Sequence, residues 1–178
     1  MATPPRAELL LQLDNIQHDG NLNLLRTAAS AHGVPLEFAV AITSRETNCR
    51  NILGDKRADG YHGVGLMQAD IQHDIARQAR DDGSWQTPDG NARLIDFCMG
   101  MLASNIATAQ GFFDDLVTNE AFQIAADGYN AGMGRADADA EDGGDPDRHT
   151  TSHDYGSDVV ARMLVFQSLL NPPVGALS

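Results

Sequence analysis

SRETNCRNILGDKRADGYHGVGLMQAD, residues 44–70, joins the end of an apolar run to a glycine-rich and nearly uncharged tail, with Glu46 at the junction. In the preceding PLEFAVAIT, Pro35 suits a first helical turn, and Leu36, Ala39, Val40 and Ile42 or Thr43 recur at helical spacing. Extending that stripe lands on Glu46. A carboxylate on the buried side of a helix must pair, be neutral, or work. The glycines at 60, 63 and 65 forbid a stable helix, so GYHGVGLMQA predicts small strands or a turn bordering a cleft.

Outward from this stretch, helical periodicity dominates, predicting helices near 6–14, 21–32, 35–48, 71–81, 91–110, 118–128 and 154–170. In 91–110, Leu94, Phe97, Cys98, Met101, Leu102 and Ile106 form one apolar stripe, which reads as core. A chain of 178 residues suits a single domain with one core. RADADAEDGGDPDRHTTSHD, 135–154, reads as a solvated acidic loop. Alternation of Asp137, Asp139 and Glu141 suggests calcium, yet Asp142 and Arg148 stand where an EF-hand needs its glycine and its bidentate glutamate. His149 and His153 lack partners at metal-site spacing and read as surface or hydrogen-bonding histidines. No metal is expected.

Twelve basic residues, of which Lys56 is the one lysine, against twenty-five acidic ones give a net charge of −13. That field repels nucleic acid and anionic membranes, so neither is an expected partner. No uncharged apolar run approaches the roughly 18 residues of a membrane span, and MATPPRAELLLQLDNIQ lacks a signal-peptide pattern. Cys49 and Cys98 are too few for a disulfide framework. They read as two buried free thiols or as one bridge.

Cleaving a glycosidic bond needs a protonated acid for the leaving oxygen and, with inversion, a carboxylate that activates water. Burial and the negative end of a helix dipole would keep Glu46 protonated, while Asp59 and Asp70 in polar glycine-rich surroundings would stay ionised. Equally, Glu46 pairs with Arg45 or Arg50 and the aspartates cap turns. The residues alone leave both readings open.

ITSRET (42–47), GLMQAD (65–70), GYNAG (128–132) and HDYGSDVVAR (153–162) follow in the order and spacing of motifs in goose-type lysozymes and their lytic-transglycosylase relatives. The chain resembles that family over about residues 33–170, as one domain spanning 1–178 with a helical extension at 1–32. The resemblance implies a mainly α lysozyme-like fold with a small β-hairpin or three-stranded sheet beside the cleft. It implies a monomer that acts on peptidoglycan glycan strands at the cell wall, outside the cell or in the periplasm, without a cofactor and by an unassigned export route. It places Glu46 as general acid, Asp59 and Asp70 as the aspartates that position water, and Gln68, Tyr129, Asn130 and Tyr155 at the saccharide. The implied reaction is inverting hydrolysis of the β-1,4 bond between N-acetylmuramic acid and N-acetylglucosamine. Alternatives are a lytic transglycosylase giving 1,6-anhydro products and an inactive peptidoglycan-binding module. Thr47 replaces the family's usual serine, NCR at 48–50 departs from its usual residues, and His153 sits one place late.

Overall fold

A computed structural model describes residues 3–58, 60–113 and 118–172. The chain divides into two compact units, residues 12–100 and residues 1–11 with 101–178. Helices α1 (Arg6–His18) and α5 (Pro88–Gln110) have residues in both.

In the unit 12–100, α2 (Asn21–His32) ends at Gly33, whose φ of 69° turns the chain towards Pro35 and the start of α3 (Leu36–Thr47). Proline there costs no helical hydrogen bond and cannot extend the preceding helix. Every residue from Phe38 to Ser44 is buried, so α3 runs through the core instead of lying on it. Ile16, Leu25, Leu66, Met67, Ile95 and Met99 are buried in the same unit. Two buried polar contacts serve this interior: Ser44 donates to Gln12 Oε1 (2.6 Å) and Asn91 Nδ2 to Asn21 Oδ1 (2.8 Å). Both cysteines, Cys49 and Cys98, are buried free thiols, which removes the bridge from the two readings.

After α3, five short strands are found among the described residues: β1 (Ile52–Leu53), β2 (Lys56–Arg57), β3 (Gly60–Tyr61), β4 (Gly63–Gly65) and β5 (Ala69–Asp70). They make an antiparallel three-stranded sheet in the order β1-β4-β5 and a β2-β3 pair. Ile52 faces Gly65, and Gly63 faces Asp70. This agrees with the expected small sheet in a mainly helical fold. Helix α4 (Asp74–Asp82) closes at Gly83 and leads to α5.

In the unit made by 1–11 and 101–178, α6 (Asn119–Asp127) is capped by Thr118, whose hydroxyl accepts from Ala121 N at 3.1 Å. A π-helical turn, Gly128–Gly132, follows without a break, then α7 (Met133–Glu141) and α8 (Tyr155–Leu170). Helices α6 and α8 pack together, burying Phe122, Ile124, Val159, Met163 and Phe166. A buried Arg162 to Asp158 pair (2.9 Å) lies within α8, and Thr3 also donates to Asp158 (2.7 Å).

The acidic segment departs from the expected solvated loop. Residues 133–141 are helical, because alanines at 136, 138 and 140 favour a helix more than the interleaved aspartates oppose it. Asp139 and Asp147 are buried and partnered: His149 Nε2 lies 3.6 Å from Asp139, and Asp147 gathers hydrogen bonds described below. His153 Nδ1 meets the Arg148 carbonyl at 2.7 Å.

Candidate active site

Glu46 occupies the last turn of α3, half-buried. The helix stops one residue later because Asn48 (φ 52°) and Cys49 (φ 61°) both turn left-handed, with Asn48 N donating to Ser44 O (3.0 Å) and Cys49 N to Thr43 O (3.3 Å). Asparagine tolerates that conformation; cysteine adopts it at a cost of ~1 kcal/mol or more.

Thr47 fixes where this helix end sits. Its buried hydroxyl lies 2.9 Å from Leu66 O and 3.0 Å from Thr43 O, and it accepts from Arg50 N at 3.1 Å. The residue after Glu46 therefore ties α3 to the turn between β4 and β5. Thr47, flagged in the sequence only as a departure from serine, retains the hydroxyl that this tie requires.

That turn depends on Gln68, which adopts φ 55°. Its carboxamide folds back over the sheet, Nε2 donating to Ile52 O (3.1 Å) and Gly65 O (2.8 Å). A Cβ on Gly54 or Gly63 would collide with Gln68 Oε1. These glycines are thus explained by close approach of a side chain as well as by their inability to continue a helix. The Gln68 amide nitrogen is engaged with backbone.

Asp70 ends β5, exposed, and its Oδ1 accepts from Gln72 N at 2.8 Å, an Asx turn leading into α4. Asp59 lies outside the described residues. Glu46, Gln68 and Asp70 all belong to the unit 12–100.

Tyr129, Asn130 and Tyr155 belong to the other unit. Tyr129 and Asn130 ride on the π-helical turn, a rare geometry that recurs at functional sites, and both are half-buried. Asn130 Oδ1 accepts from Thr151 N (2.9 Å), fastening this turn to the chain ahead of α8. Tyr155, the first residue of α8, is 2% exposed and packs in the core.

Sequence reasoning missed a buried carboxyl pair in the same unit. Asp147 Oδ1 accepts from Gly156 N (2.7 Å) and Thr150 Oγ1 (3.1 Å), and its Oδ2 from Ser157 N (3.0 Å) and Gln123 Nε2 (3.1 Å). Asp127 Oδ1 takes a second share of Gly156 N–H at 2.9 Å, and no hydrogen-bond donor among the described residues reaches its buried Oδ2. Burial, and then the adjoining Asp147, push the Asp127 carboxyl up to about 9. For Asp147, burial raises the pKa, but donation from Asp127 and from Ser157 and Gly156 outweighs it and holds the carboxyl below its ordinary range. The opposed shifts favour a protonated Asp127 beside an ionised Asp147.

Comparison with curated proteins finds no match. The family model described as Lysozyme g matches residues 10–169, beginning ahead of residue 33, where the motif resemblance starts. The match takes in α2, α3 with Glu46, the sheet, the π-helical turn and nearly all of α8. This family implies a glycoside hydrolase with a peptidoglycan substrate, and the chain belongs to it: it is a member of the goose-type lysozyme family.

Proposed function

We propose that the protein is a muramidase that hydrolyses the β-1,4 bond between N-acetylmuramic acid and N-acetylglucosamine with inversion. The observation that carries this reading is the family match over 10–169 together with a half-buried glutamate in the last turn of α3. Glu46 serves as general acid, giving its proton to the leaving oxygen. Its position is held by the Thr47 bond to Leu66 O. Asp70, exposed at the end of β5, and Asp59 serve the attacking water, which is the role a second carboxylate has in an inverting glycosidase. Tyr129 and Asn130 contact the sugar, the tyrosine offering an apolar face and a hydroxyl together. Tyr155 and Gln68 act on the saccharide by holding the segments beside them, since one is buried and the other bonds to backbone.

Mass spectrometry of purified peptidoglycan after digestion tests the reaction. Reducing N-acetylmuramic ends support hydrolysis, whereas predominantly 1,6-anhydro ends would assign the lytic transglycosylase reaction. Intact glycan that nonetheless retains the protein would assign a binding module.

A further inference from the structure

The Asp127–Asp147 pair joins three segments that no other polar contact described here joins at once. Asp127 is the last residue of α6 and immediately precedes the turn that carries Tyr129 and Asn130. Asp147 belongs to the 3-10 turn Pro146–His149, and Gly156 and Ser157 are in the first turn of α8 beside Tyr155. The two carboxyls divide the Gly156 N–H between them, at 2.9 and 2.7 Å. Position 156 must be glycine: a Cβ would collide with Asp127 Oδ1 and lie 2.7 Å from both Asp127 Cγ and Gln123 O. Gly128 is constrained likewise, its Cβ position pressed by Met133 Sδ and lying 3.3 Å from Asn105 Nδ2. The N-terminal end of α8 favours the carboxylate on Asp147, and two close carboxylates would repel, so one proton between them holds the set together.

We propose that Asp127 and Asp147 are positioning residues, a carboxyl–carboxylate clamp that sets the 128–132 turn, with Tyr129 and Asn130, against the start of α8 for glycan binding. The glycan part of this inference rests on the muramidase reading; the clamp rests on the shared Gly156 N–H and the burial of both carboxyls, and its pH dependence on the raised Asp127 pKa.

Other titratable groups on the packed elements are accounted for. Asp145 adds repulsion to Asp127 and favours its neutral form. Asp139 of α7 faces His149, and Asp158 of α8 is paired with Arg162. Arg135, Asp137 and Glu141 lie on α7, Arg148 on the 3-10 turn, and Asp154 and Tyr155 at the start of α8.

A free aspartate ionises near 3.8, and Asp127 keeps its proton up to about 9. Between those values the fold holds one proton more than the unfolded chain. The stabilisation is therefore full below about pH 4 and is lost as pH rises to about 9. Asp127→Asn supplies a permanent donor to Asp147 while its Oδ1 still accepts from Gly156, so it removes this dependence. Asp147→Asn instead turns amide hydrogens towards one set of donors, either Gly156 and Thr150 or Ser157 and Gln123, and leaves that set without an acceptor.

The test is chemical denaturation of the full chain across pH 4–9 for wild type, Asp127→Asn and Asp147→Asn, with kcat and KM on soluble peptidoglycan fragments from pH 7 to 10. The unfolding constant of wild type relative to Asp127→Asn should grow with pH by up to about tenfold per unit. Wild-type KM should rise above pH 8 with little change in kcat, and that rise should be absent in Asp127→Asn. Asp147→Asn should be the less stable variant at every pH. Parallel stability curves for wild type and Asp127→Asn would overturn the clamp, and identical KM profiles would overturn its role in glycan binding. Wild type without turnover at any pH overturns the muramidase reading and the glycan role with it, while the denaturation curves still decide the clamp.

Discussion

Helices α3 and α6 each end in a carboxyl group, Glu46 in the last turn of one and Asp127 as the last residue of the other, yet their surroundings differ. Glu46 is half-buried beside Thr47, whose hydroxyl ties this helix end to Leu66 O. Asp127 is sealed from solvent and makes the tie itself, with Asp147. The end of α3 disfavours negative charge at Glu46, whereas α6 runs on into the π-helical turn and it is burial and Asp147 that disfavour charge at Asp127. On the proposed reading, the difference teaches that exposure separates a carboxyl available to a substrate from one that holds architecture.

The largest effect expected from this contrast is on activity. If Glu46 is the general acid proposed above, Glu46→Gln should lower the rate by at least ~2 orders of magnitude, the scale of general acid catalysis. Its circular dichroism and denaturation midpoint should match wild type. Activity within a few-fold of wild type would break the comparison, because Glu46 would then be structural like Asp127.

A smaller effect is expected at the tie beside Glu46. Thr47→Val leaves the Leu66 carbonyl and Arg50 N–H without the hydroxyl and should cost about 1–3 kcal/mol in equilibrium denaturation, with a fall in kcat. Thr47→Ser keeps the hydroxyl and should recover most of both. Equal stability of the valine and serine variants would show that the hydroxyl does not hold this helix end.

The smallest effect concerns the whole-chain field. With a charge of −13, encounter with anionic peptidoglycan should be slowed at low ionic strength, so turbidity clearance should rise a few-fold from low to moderate salt. A steady fall would point to local basic attraction instead, for which Lys56 and Arg57 on the exposed β2 strand are the candidates.

The helical architecture was legible wherever apolar residues recur at helical spacing, as in α3 and α5, and the sheet wherever glycines interrupt that spacing. The 133–141 helix was hidden because alternating aspartate and alanine look like a solvated segment unless the burial of Asp139 is known. The site motifs were legible as words, but their physics was not. Nothing in GLMQ announces that Gln68 folds back over Gly54 and Gly63, since that contact closes only when β1 and β4 pair. Likewise Asp127 and Asp147 fall separately in the helix expected over 118–128 and in the acidic loop; only the packing of α6 on α8 joins them. Glycine at 156, beside a buried tyrosine at a helix start, is the one trace of that pair in the sequence.

The central claim, inverting hydrolysis assisted by Glu46, is tested most directly by early-time proton NMR of purified peptidoglycan fragments during digestion. The account predicts that reducing N-acetylmuramic ends appear first as the α-anomer and equilibrate later, with no signal above background from Glu46→Gln. Initial appearance of the β-anomer, or of 1,6-anhydro ends in place of reducing ones, would contradict it.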